Sequence, residues 1–131
     1  MINRINLDGK SLTKLGKAGA ATKAGMVVDV DGAAATAIAT SGQLFVVNQY
    51  QESVDINVDI EKDSPLNLEY TGSGRVLACR TKAGETLSFG DALYADAGYV
   101  TKTAPTDGVV VGFAQEDATT TVDQFITVLF K

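Results

Sequence analysis

The feature that most constrains the fold is a run of strict alternation between residues 53 and 70. Val54, Ile56, Val58 and Ile60 alternate with Ser53, Asp55, Asn57 and Asp59. After a break at residues 61–65, Leu66, Leu68 and Tyr70 alternate with Asn67 and Glu69. Successive side chains of an extended chain point to opposite faces, so a period of two gives a strand with one apolar and one polar face. Two such runs around a Pro-containing turn predict a β-hairpin with a wet, acidic outer face. Pro65 falls at the strand start, where a missing N–H does least harm.

Shorter β-prone runs follow the same logic. They lie at residues 26–30, 43–47, 75–80, 86–89, 93–95, 99–103, 109–114 and 125–130, and Gly, Asp and Pro punctuate them at Asp31-Gly32, Ser41-Gly42, Gly90-Asp91, Gly98, Pro105 and Asp107-Gly108. Many short strands at this spacing predict an all-β domain, a small barrel or sandwich. Residues 33–40 fit helix or strand equally. With 131 residues the chain has room for one domain, and seventeen of its apolar residues are Ala, so the core is modest. Thr22-Lys-Ala-Gly25 recurs as Thr81-Lys-Ala-Gly84, a weak internal echo with drifting spacings.

The N-terminal residues differ in character. Residues 1–9 alternate loosely and suit an added strand ending at Gly9; residues 11–18 suit one or two helical turns with Ser11 as N-cap. Residues 16–25 are mostly Gly, Ala, Thr and Lys, which predicts a flexible connector. The expected division is therefore an extended N-terminal arm over residues 1–23 and a β-rich body over 24–131.

Charge sharpens that division. The first 23 residues carry five basic groups against Asp8, a charge of +4. The remainder carries six basic against fifteen acidic groups, a charge of −9. A basic arm on an acidic body suits docking on an acidic surface. Arg4, Lys10, Lys14 and Lys17 would supply the charge and Ile2, Ile5 and Leu7 the apolar contacts. Nucleic acid is a poor partner, because the arm has no interleaved aromatics and the body repels phosphate. A protein surface fits better.

Catalytic chemistry finds little to work with. The chain has no His, the usual general base and metal ligand. Its one Cys, Cys79, lies in a short apolar run and reads as a buried hydrophobe. Asp29-x-Asp31-Gly32 begins like a calcium loop, but Ala33 and Thr40 stand where further ligands are needed. Glu116 and Asp117 fall in a polar loop, where solvated carboxylates are the ordinary state. The reading is a non-enzyme without cofactor, metal or small-molecule substrate. No apolar run approaches the ~20 residues of a membrane span, and no segment has the makeup of a signal peptide, so synthesis in a cytoplasm is expected.

The C-terminal half carries a resemblance. The order runs from Ala83-Gly84-Glu-Thr-Leu-Ser-Phe-Gly90-Asp91-Ala-Leu-Tyr94 through Asp96-Ala-Gly98-Tyr-Val100 and Asp107-Gly108-Val-Val-Val-Gly112-Phe-Ala114 to Asp117-Ala-Thr-Thr-Thr121 and Ile126-Thr-Val-Leu129. It resembles the head decoration, or capsid cement, proteins of tailed phages, including the lambda type, over about residues 83–130. The resemblance implies a small β-rich virion protein on the outer surface of an expanded head. Such a protein commonly trimerises at threefold sites and staples neighbouring major capsid subunits, with its N-terminal arm ordered on the capsid. Rival expectations are a tail or minor head component, and a carbohydrate-binding or adhesin module using Tyr50, Tyr70, Tyr94 and Tyr99.

Overall fold

The computed structural model describes residues 4–10, 12–34, 43–48, 57–72 and 74–131. Eleven strands and no helix are formed among the described residues: β1 (Thr13–Lys17), β2 (Val27–Val28), β3 (Phe45–Val47), β4 (Pro65–Tyr70), β5 (Val76–Thr81), β6 (Thr86–Leu87), β7 (Ala92–Asp96), β8 (Tyr99–Thr101), β9 (Val110–Ala114), β10 (Ala118–Thr119) and β11 (Gln124–Phe130). The domain is all-β.

Strands β11, β5, β8, β7 and β9 close into a barrel in that order. Alternation explains its interior. Ile126, Val128 and Phe130 of β11 point inward and are buried, while Phe125, Thr127 and Leu129 between them are half-buried. Leu77, Cys79, Leu93, Ala95, Val100, Val111 and Ala114 complete the packing from the other staves. The β7–β8 hairpin turns at Ala97 and Gly98, both with positive φ (50° and 87°), the twist that a two-residue hairpin loop requires.

A four-stranded antiparallel sheet, in the order β1-β4-β3-β2, lies against the barrel. Val27 and Val46 reach into the barrel core. On the opposite face, Val28, Phe45, Val47, Leu66 and Leu68 form a second apolar cluster with Ala18 and Met26. A separate two-stranded ribbon pairs β6 with β10.

Several local expectations are corrected. Residues 11–18 do not form helical turns: Thr13–Lys17 is a strand paired residue for residue with β4. Gly16, a poor helix residue, fits here because Leu68 packs over it; a Cβ would lie 2.8 Å from the Leu68 Cδ1. Residues 16–25 are no loose connector. Ala18 is fully buried and donates its N–H to Ser64 at 2.9 Å, while Thr22 and Ile60 exchange two backbone bonds of 3.0 and 2.6 Å. Small side chains there permit close approach rather than mobility.

The predicted hairpin is only half realised. Its second run is β4, but both flanks of β4 are taken by β1 and β3. Of its first run, residues 53–56 lie outside the described residues, residues 57–59 turn, and Ile60 bridges Thr22. The acidic face of β4 is not wet, since Glu69 is 1% exposed. Glu116 and Asp117 lie in the short loop between β9 and β10.

Residue 23 marks no structural boundary. Ile5 is buried in the barrel core, Asn6 bridges Leu77 of β5, and Leu7 donates its N–H to Val76 at 3.2 Å. Ala78 in turn donates to the Ile5 carbonyl at 2.9 Å. Strand addition by residues 5–7 therefore occurs, but on the protein's own β5. Burying an Ile side chain is worth about 1.5–3 kcal/mol, enough to hold the segment down.

Candidate docking surface

Deleting residues 1–23 would remove Ile5, β1 and Ala18 from the fold, so the basic segment works as part of the body. It is locked in place by a buried ionic cluster. The Arg75 guanidinium, 1% exposed, donates Nε to Asp8 Oδ2 at 2.9 Å and Nη2 to Glu69 Oε2 at 2.9 Å. Its Nη1 donates to the carbonyls of Tyr70 at 2.8 Å and Leu12 at 3.3 Å, which fixes the start of β1.

The remaining carboxylate oxygen sites are also filled. Asn48 and Asn6 donate side-chain N–H groups to Glu69 Oε1 at 2.8 and 3.2 Å. Val76 and Lys10 donate backbone N–H groups to Asp8 at 2.8 and 2.9 Å. Burial alone would raise the Asp8 pKa. The bonds from Arg75, Val76 and Lys10, with the guanidinium charge, outweigh it and hold the carboxyl at about 2. Burial likewise opposes the Arg75 charge, and Asp8 and Glu69 overcome it, so its pKa is raised.

From this anchor the chain runs out along β1, the outer strand of the sheet. Ile2 lies outside the described residues. Arg4, Lys10, Lys14 and Lys17 are exposed, Leu7 is half-buried against the barrel core, and Ile5 is buried. The expected apolar contacts from Ile5 and Leu7 are thus made within the molecule. Lys14 lies over the Phe45 ring, 5.5 Å from its centroid, and Lys17 pairs with Asp63 at 3.7 Å, both groups well exposed. An exposed pair of this kind adds little stability.

Two residues that sequence reasoning passed over belong to the same surface: Leu12, 50% exposed, and Leu15, 82% exposed. Their spacing does not announce a strand, because apolar residues three apart suit a helical turn. Gly16, a poor helix residue, is the one local sign against that reading. The two ends of the sheet contrast. Strand β2 is covered, with Val27 donating to the Gly98 carbonyl at 2.9 Å. Strand β1 has β4 on one side and, among the described residues, no strand on the other.

Elsewhere the polar groups serve the fold. Glu116 accepts the Thr127 N–H at 3.0 Å and Asp117 accepts the Phe89 N–H at 2.7 Å, so the adjacent pair of carboxylates is spent on backbone. Asp29 Oδ1 accepts the N–H groups of Asp31 and Ala33, a turn rather than an ion loop. Burial pushes the Cys79 thiol up, which suits a packed hydrophobe and not a nucleophile. Tyr70, Tyr94 and Tyr99 sit on three different strands, and Tyr50 lies outside the described residues. No family model matches this chain, and comparison with curated proteins gives no match.

Proposed function

We propose that the protein is a structural virion component. It decorates the outer surface of an expanded phage head, staples neighbouring major capsid subunits, and acts there as a homotrimer. The observation that carries this reading is the exposed basic run from Lys10 to Lys17, held rigidly on an otherwise acidic body by Asp8, Arg75 and Glu69. A fixed basic strip loses little conformational entropy on docking, which favours stable attachment to an acidic lattice. The resemblance of residues 83–130 to head decoration proteins supplies the identity of that lattice.

The test is co-sedimentation of the full-length protein with expanded, undecorated heads. Saturation at a stoichiometry matching threefold sites is expected. Reversing charge at Lys10, Lys14 and Lys17 together should weaken binding and flatten its salt dependence. Failure of the unaltered protein to bind heads would overturn the proposal.

A further inference from the structure

Among the described residues, strand β1 has a direction-specific edge with no strand paired to it. The Leu12 carbonyl accepts the Tyr70 N–H, and the Ala18 N–H donates to Ser64, so the even-numbered residues of the strand direct their backbone groups at β4. Thr13 and Leu15 therefore direct both N–H and C=O outward, and Lys17 its N–H. The edge stops there, because Gly32 packs so closely on the Lys17 carbonyl that a Cβ would lie 2.1 Å from it.

The side chains along this edge form a two-sided code. Leu12 and Lys14 lie on one face of the strand, Leu15 and Lys17 on the other. Each face thus offers one apolar and one cationic group. An exposed edge with bare backbone groups invites strand addition. Pairing with a second copy would put four lysines on one short ladder, a repulsive arrangement.

We infer that the outer edge of β1 accepts an extended, acidic segment of a partner protein, added antiparallel. Opposite Lys17, Gly16, Leu15, Lys14, Thr13 and Leu12 in turn, the segment reads acid, any residue, apolar, acid, any residue, apolar. Its carboxylates meet Lys17 and Lys14, and its apolar side chains meet Leu15 and Leu12. This rests on the decoration reading only for the partner's identity as a capsid subunit.

The experiment titrates full-length protein with the peptide Glu-Val-Ile-Glu-Thr-Val, capped at both ends, and follows binding by backbone amide NMR shifts. Expected are saturable shifts at Thr13, Leu15 and Lys17. N-methylation of the peptide Ile, whose N–H faces β1, should weaken binding about tenfold or more. N-methylation of the Val beside it, whose N–H faces away, should be tolerated. A peptide of scrambled order should bind at least about tenfold more weakly, since its charges and apolar groups fall on the wrong faces.

Absence of binding would overturn the inference, as would equal binding of the scrambled or Ile-methylated peptide. Concentration-dependent dimerisation through β1 would overturn it in favour of a second copy. Heads that bind while the peptide does not would leave decoration standing and remove this edge mechanism. Peptide binding without head binding would do the reverse.

Discussion

The barrel and the sheet use the same kind of strand to opposite ends. In the barrel every stave has two neighbours, so no backbone edge is left, and its cluster of buried side chains runs from Ile5 to Phe130. The four-stranded sheet has a smaller cluster, one edge covered by the β7–β8 turn, and one edge, at β1, that no strand among the described residues pairs. Closure concentrates stability in the barrel. Incompleteness leaves the sheet able to bind. The two are joined at a polar seam, where Arg75 at the foot of β5 grips Asp8 from the N-terminal segment and Glu69 from the sheet.

The largest effect should come from breaking that seam. Arg75→Met would leave two carboxylates facing each other in a buried space without a cation, a loss of about 3–5 kcal/mol. Urea unfolding followed by far-ultraviolet circular dichroism measures it. If the seam couples the halves, the variant's sheet should melt before its barrel, and the single transition should split. A single transition with a shift under about 1 kcal/mol would mean that apolar contacts alone, such as Val27 and Val46, join the two regions.

A smaller effect isolates one arm of the seam. The folded Asp8 pKa is about 2 against an ordinary 3.8, so the unfolded chain takes up this proton first as pH falls. Asp8 therefore contributes its full stabilisation above about pH 4 and loses it between about pH 4 and 2, to the extent of ~2 kcal/mol. Its side chain is 10% exposed, so solvent screens this little. Asp8→Asn should be less stable at neutral pH and should lack this part of the acid-induced loss. Parallel pH profiles for the two proteins would show that Asp8 is not a stabilising link.

The same contrast explains what could be read from the sequence. The barrel staves were legible because Phe125 to Phe130 alternates, Val109 to Ala114 is a Val-rich run, and Gly and Asp bound them. The sheet was harder. Arg75 and Asp8 are 67 residues apart, and nothing near either announces the other. Glu69 looked solvated because alternation reports which residues share a face, not what that face meets. β1 was hidden by composition: Gly, Ala and Lys suggest mobility, whereas here the missing side chain at Gly16 makes room for Leu68. The docking lysines were picked out from charge alone, and their neighbours Leu12 and Leu15 were not, because an edge strand is defined by what fails to pair with it.

The smallest energetic effect carries the sharpest test of the comparison. Leu15 is the most exposed large apolar side chain of the edge, at 82%, so Leu15→Thr should change stability by no more than about 0.5 kcal/mol. The same position should nonetheless stand out in hydrogen exchange. Within one five-residue strand, the amides of Lys14 and Gly16 face β4 and should be protected, while those of Thr13 and Leu15 face solvent and should exchange at nearly the unprotected rate. In the barrel, neighbouring amides of β11 alternate between β5 and β9, so protection there should be continuous from Val128 to Phe130. Alternating protection in β1 beside continuous protection in β11 is the signature of one open and one closed structure. Uniform protection along β1 would mean that the edge is already covered in the free protein and that any partner must first displace that cover.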